Sequence, residues 1–323
     1  MNYLKKEDMV KLDEELYLIP ITSDIMFKAV FINDLELLKK FILSQLKLDT
    51  IFNIDGEELR KSNIKLLNSE LPKETKKEYK KIVDLYVSID DKVYVEIEVN
   101  RELFKDIKIR NYIYADKLYT MLLEQGNNPD SLKDKIFIQI NLNAREKNSE
   151  RGDALIVPYD IVNKEVFIPN KLMILKYLEY YRNLFYNGNV LNEAEMWLVS
   201  YTARNFKELY ELTGYIMNDK EREKYLRRII KMCKDTFILH EWEKEKMELL
   251  VESERRRNAL EEGKNAGFED GRKSGIKQGI STGIEQNKTE VVRNMLKSNY
   301  DIKEISKIIN LTNEEIMKIK ESL

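Results

Sequence analysis

The sequence predicts an α+β fold: a mixed β-sheet flanked by helices, followed by an all-helical C-terminal region. Short runs of strand-period alternation fill the first half of the chain, most clearly in KKIVDLYVSIDDKVYVEIEVN. After Lys171 the pattern turns helical nearly to the end. From Gly263 to Gly283 glycine recurs at every fourth position, the one clear internal repeat. The expected division is a sheet-bearing domain over 1–190, a helical extension over 191–257, a glycine-every-four helical or linker segment over 258–288, and a small helical unit over 289–323.

In chain order, Ser23–Leu46 reads as two helices parted at Asn33–Asp34, with Thr22 or Ser23 capping the first. Ile51–Ile54 and Ile64–Leu67 are short strand candidates. Ile82–Ile89 and Val93–Val99 alternate apolar and polar residues around Asp90–Lys92, which reads as a β-hairpin. Leu103–Leu123 is a long helix with Ile107, Tyr114, Leu118 and Leu122 on its apolar face. Lys135–Leu142 is a further strand, with weaker ones at Ala154–Ile161 and Glu165–Ile168. Leu172–Tyr186, Glu193–Met217 (in two pieces) and the charged run Asp219–Arg257 read as helices. In the tail, Asp301 and Thr312 stand at N-cap positions with Glu304 and Glu315 three residues on.

Composition narrows the chemistry. The 323 residues are 43% hydrophobic and 35% charged, as expected of a soluble globular chain able to bury a sizeable core. No apolar run reaches the length of a membrane span, and the N-terminal residues form no apolar signal segment, so the expected location is cytoplasmic. One cysteine, Cys233, excludes an internal disulfide and cysteine-ligated zinc, and one histidine, His240, excludes His clusters and Ser-His-Asp catalysis. Hydrolysis must then rest on carboxylates, a metal or lysine. A net charge of −2 gives no overall attraction for nucleic acid, so binding would need local basic patches. Candidates are Lys76, Lys77, Lys80 and Lys81 before the hairpin, and Lys105, Lys108 and Arg110 after it.

On the second hairpin strand, Tyr94, Glu96, Glu98 and Asn100 share one face, and Val93, Val95, Ile97 and Val99 the other. If Asp84 lies near Glu98, the two carboxylates can share a divalent cation open to water. On the residues alone the favoured alternative is that Asp84 pairs with Lys80 or Lys81 and the glutamates form the solvent face of an edge strand.

An Asp followed fourteen residues later by Glu-x-Asn, ahead of a helix carrying Arg110-Asn111-Tyr112, resembles the recombination-promoting nuclease/transposase family of the PD-(D/E)XK nuclease-like superfamily. Supporting segments are ITSDIMFKAVF (Ile21–Phe31), RNYIYADKLYTMLLEQG (Arg110–Gly126) and KIFIQINLN (Lys135–Asn143). The resemblance implies a restriction-endonuclease-like core over 1–190 and metal-dependent hydrolysis of DNA phosphodiester bonds. Asp84, Glu98 and Asn100 would be the catalytic residues. Asp84, Glu98 and the Val99 carbonyl would hold Mg²⁺ or Mn²⁺. The superfamily's lysine falls here on Asn100, which can orient a water or phosphate but brings no positive charge. Asp24, Glu96, Lys105, Lys108 and Arg110 are accessory candidates. No small-molecule cofactor is implied.

The competing reading is a catalytically weak nuclease-fold protein that binds DNA or a partner. The glycine stripe points to homo-oligomerisation: six helical glycines cost up to ~1 kcal/mol each against alanine, and a mere spacer has no reason to keep their register.

Overall fold

A computed structural model describes residues 4–46, 56–68, 70–71, 81–101, 107–123, 129–144 and 150–322. Two compact units are present, Met1–Met247 and Glu248–Leu323. The strand expected at Ile51–Ile54, together with Lys76, Lys77, Lys80 and Lys105, lies outside the described residues.

The first unit opens with α1 (Lys6–Glu15), α2 (Asp24–Ile32) and α3 (Leu35–Gln45). Ser23 caps α2 by accepting from the Met26 N–H, and Asp34 caps α3 by accepting from the Leu37 N–H. Arg228 and Lys224 also hold the Asp34 carboxylate, at 2.9 and 2.8 Å. Then follow α4 (Gly56–Lys61), β1 (Ile64–Leu66), β2 (Glu70–Leu71), β3 (Lys81–Ile82), β4 (Leu85–Ile89), β5 (Val93–Asn100), α5 (Ile107–Met121), β6 (Ile136–Asn143), β7 (Asp153–Ile156), β8 (Tyr159–Asp160), β9 (Glu165–Val166) and β10 (Lys171–Tyr177).

Six strands form one mixed sheet in the order β1-β4-β5-β6-β10-β7. β5, β6 and β10 run parallel to one another, and antiparallel strands flank them. Leu85, Val87, Val95, Ile97, Ile138, Ile140, Leu172 and Ile174 pack with α2, α3 and later helices in the larger core. The alternate residues Tyr86, Phe137, Met173 and Leu175 pack with Ala115, Leu118 and Leu122 at α5. The face of α5 follows the expectation at Ile107, Leu118 and Leu122, with Tyr114 packed partly buried against the same core.

The structure corrects the helical reading after Lys171, since Lys171–Tyr177 is a strand of the main sheet. KLMILKY is buried throughout because the two cores cover both of its faces, which erases any alternation along it.

Helices then take over: α6 (Leu178–Tyr186), α7 (Glu193–Ser200), α8 (Phe206–Thr213), α9 (Asp219–Cys233) and α10 (Thr236–Lys297). Trp197, Tyr201, Phe206 and Tyr225 enter the larger core beside the strand residues. The single charged helix expected over Asp219–Arg257 is instead interrupted at Lys234–Asp235. There the Asp235 carboxylate accepts from the Phe237 and Ile238 N–H groups and starts a new helix.

Within α10, residues 258–288 are helical, and a Cβ built on any of Gly263, Gly267, Gly271, Gly275, Gly279 or Gly283 would meet nothing within 4 Å. The second unit closes with α11 (Ile302–Ile309) and α12 (Asn313–Glu321), whose Ile305 and Ile316 pack on Val292 of α10. Thr312 and Glu315 form a capping box, whereas the Asp301 side chain makes no cap bond.

Candidate active site

Asp90 and Asp91 both adopt left-handed backbone angles (φ 55° and 50°), and the Lys92 N–H closes the turn on the Ile89 carbonyl at 3.2 Å. Two consecutive residues of this kind make the tight turn that matches strand twist, and it fixes the register Leu85↔Ile97. Asp84, at the bend just before β4, therefore falls opposite Glu98. The Val99 N–H donates to Asp84 Oδ2 at 2.8 Å, and the Asp84 N–H reaches Glu98 Oε1 at 3.4 Å. Each carboxylate thus ties down the other residue's strand.

From α2, Lys28 reaches the same place. Its Nζ lies 3.3 Å from Asp84 Oδ1 and 2.6 Å from Asp24 Oδ1, one helical turn back. Asp24 is half exposed, and its N–H donates to Glu245 Oε1 of α10, which also holds the Arg101 guanidinium at 2.8 Å.

Burial dominates the electrostatics. It raises the Asp84 carboxyl well above its ordinary pKa, with Glu98 and Asp24 adding to the rise and Lys28 opposing it. Glu96 is also raised well above its ordinary value, by burial and then by Glu98. Both Glu96 carboxylate oxygens are sealed from water, and Gln139 opposes the rise. Glu98 is raised by burial, against the lowering effects of Glu96, Arg110 and Lys28. For Lys28, burial pulls the pKa down, but Asp84 and Asp24 outweigh it and leave the ammonium raised.

Across the sheet the register sets Glu96 beside Gln139, Glu98 beside Asn141 and Asn100 beside Asn143. Asn111 of α5 sits over this row. Its amide donates to Asn100 Oδ1 at 3.2 Å and to Asn141 Oδ1, and its carbonyl accepts from Gln139 Nε2 at 2.9 Å. Asn100 Nδ2 in turn donates to Asn143 Oδ1 at 3.1 Å. Both ends of the Asn100 amide are therefore engaged. A cleft of about 90 Å³ borders this network, lined by Asn100, Asn111, Asn143 and Lys108 among others.

The structure thus brings Asp84, Glu98, Val99, Asp24 and Glu96 together, with Asn100 one position further along β5. Arg110 is exposed on α5, its guanidinium 5.8 Å from the Tyr114 ring, and its charge acts on Glu98. Lys108 is exposed on the same helix. The expectation that both carboxylates open to water needs correction. The Asp84 side chain is 13% exposed, but Glu98 is only 5% exposed, within the row that α5 covers.

Sequence reasoning passed over Lys28, Arg101, Gln139, Asn141 and Asn143. Two signals were available: the four-residue spacing from Asp24 to Lys28, and the period-two amides of IQINLN, which match EIEVN residue for residue. Neither declares its partner, because α2 and β6 are far from the hairpin in sequence.

Among the described residues no set of three or more His, Cys, Asp or Glu side chains is arranged to hold a metal ion. The Asp84 and Glu98 carboxylates nevertheless meet at facing positions of adjacent strands, hard oxygen donors in surroundings that penalise their negative charge. Mg²⁺ commonly binds through one or two carboxylates, completing its shell with water and substrate phosphate. The residues present fit such an ion.

Residues 21–262 match a sequence family described as PD-(D/E)XK nuclease family transposase. No curated protein and no solved structure matches the chain.

Proposed function

The chain belongs to the PD-(D/E)XK nuclease family transposases, and we propose that it is a divalent-metal-dependent endodeoxyribonuclease hydrolysing DNA phosphodiester bonds. The observation that carries this reading is the meeting of Asp84 and Glu98 at facing positions of adjacent strands. Asp84, Glu98 and the Val99 carbonyl would hold Mg²⁺ or Mn²⁺. When bound, the ion would polarise a phosphoryl oxygen and lower the pKa of an attacking water. Asp24 orients the Lys28 ammonium over Asp84, and the Asn111 amide fixes Asn100. Lys28, Arg101, Lys108 and Arg110 supply local positive charge toward DNA in a chain of net charge −2. The reading also includes cytoplasmic action, a recombination-promoting or transposase-like setting, and homo-oligomerisation through the Gly263–Gly283 stripe. Among the described residues no helix is long and apolar enough to cross a membrane.

Purified protein is expected to nick or cut plasmid with Mg²⁺ or Mn²⁺. Asp84→Ala or Glu98→Ala should each lower the rate by roughly 100-fold or more, the scale of losing one charge-stabilising group. Cleavage that survives both changes, or persists in EDTA, defeats the mechanism. The engagement of the Asn100 amide favours one second reading, a catalytically weak DNA-binding protein. Calorimetry separates the two, since DNA binding without divalent-ion binding supports the second.

A further inference from the structure

The nuclease reading leaves one chemical gap. Position 100 carries no cation, and the Asn100 amide is spent on Asn143 and Asn111. Hydrolysis of a phosphodiester builds negative charge on the phosphoryl oxygens, which a nearby cation stabilises strongly where water is excluded.

Lys28, Arg101 and Arg110 are described cations placed around the site. Arg101 is held at 2.8 Å by Glu245, with its side chain 11% exposed. Arg110 is exposed on α5, its Nε 3.4 Å from Asn111 Oδ1. Lys28 alone among the three has its charged nitrogen on a carboxylate of the pair, 3.3 Å from Asp84 Oδ1. Its side chain keeps 24% exposure.

We propose that Lys28, delivered from α2, is the catalytic cation that contacts the scissile phosphate in place of a lysine at position 100. This rests on the nuclease reading and assigns a residue to the same site. The local geometry explains how one ammonium serves both states. Asp84 Oδ2 is fixed by the Val99 N–H, which leaves Oδ1 as the oxygen Lys28 neutralises while no ion is bound. A divalent ion on Asp84 would repel the ammonium, and the incoming phosphate would be its new anionic partner. Asp24, four residues earlier on the same helix, keeps the side chain beside the site through that exchange.

The full-length chain, cleaving plasmid with Mn²⁺, supplies the test. Lys28→Met is expected to lose about 100-fold or more of the cleavage rate. It should bind Mn²⁺ at wild-type strength or tighter by calorimetry, because a like charge beside Asp84 is gone. Lys28→Cys gives a second arm that compares two forms of one folded protein. Cys233, the only cysteine, is fully buried, and burial pushes its thiol up to about 11, so alkylation is directed to position 28. Treatment with 2-bromoethylamine rebuilds an ammonium of nearly lysine length, and should raise the rate about tenfold or more. Methyl methanethiosulfonate, which adds no charge, should raise it not at all.

Cleavage by Lys28→Met within about threefold of wild type overturns the proposal, as does equal recovery with the neutral reagent. A wild-type protein that cleaves nothing with either metal overturns the nuclease reading and this proposal with it. That outcome is distinct, because the variants then have no rate to lose.

Discussion

Glu96 shows how much a single side chain is asked to bear. It is 0% exposed, and both carboxylate oxygens are sealed from water beside Gln139 and Glu98. A carboxyl whose folded pKa is raised stabilises the fold fully below its unfolded pKa and loses that contribution as pH climbs toward the folded value. Glu96 is therefore compatible with the fold when protonated and costly when ionised. Glu96→Gln should match the wild-type melting temperature near pH 4 and exceed it increasingly toward pH 8. About 1 kcal/mol corresponds to roughly 2–4 °C at this domain size. Melting curves across that range, in EDTA, check the slope, and a constant difference would contradict it. The sequence displayed Glu96 as part of an acidic row but carried no mark of its burial, because α5 supplies the cover.

The β4–β5 hairpin is the element on which the site depends, and its turn is the sensitive point. Asp90 at φ 55° occupies backbone space that a β-branched residue enters only with strain. Asp90→Val should cost about 1–2 kcal/mol in urea unfolding, whereas Asp90→Gly should be neutral or stabilising. A Val variant as stable as wild type would mean that the turn does not hold this register. The turn and its flanking strands were legible in the Asp-Asp-Lys break between two alternating runs. β10 was not legible. Lys171–Tyr177 has no polar side to betray a strand, and only its pairing with β6 and β7 makes it one.

For the whole molecule, the candidate site and the glycine stripe fall in different units. The carboxylate pair, Lys28 and the amide row all lie within Met1–Met247, while the glycines lie within Glu248–Leu323. Leu260, Phe268, Ile276, Ile280 and Ile284 are exposed by 52–71% along α10, an apolar row beside glycines that leave room for a close backbone. A chain truncated before Glu261 should keep metal-dependent cleavage and lose self-association, measured by light scattering. An unchanged oligomeric state would remove the glycine segment as the assembly element.

By itself the sequence determined the α+β class and the hairpin, and its segments around Asp84, Glu98 and Asn111 carried a resemblance to the family, while the meeting of Asp84 with Glu98 stood beside an edge-strand alternative until the register settled it. The class and the hairpin follow from local periodicity and turn chemistry, which are written into neighbouring residues. Tertiary structure alone decided that Glu98 is nearly enclosed, that Asn100 is locked into an amide network, and that Lys28 stands on Asp84. These depend on which distant segments pack over the hairpin, and burial and pairing across such distances leave no periodic trace in the chain.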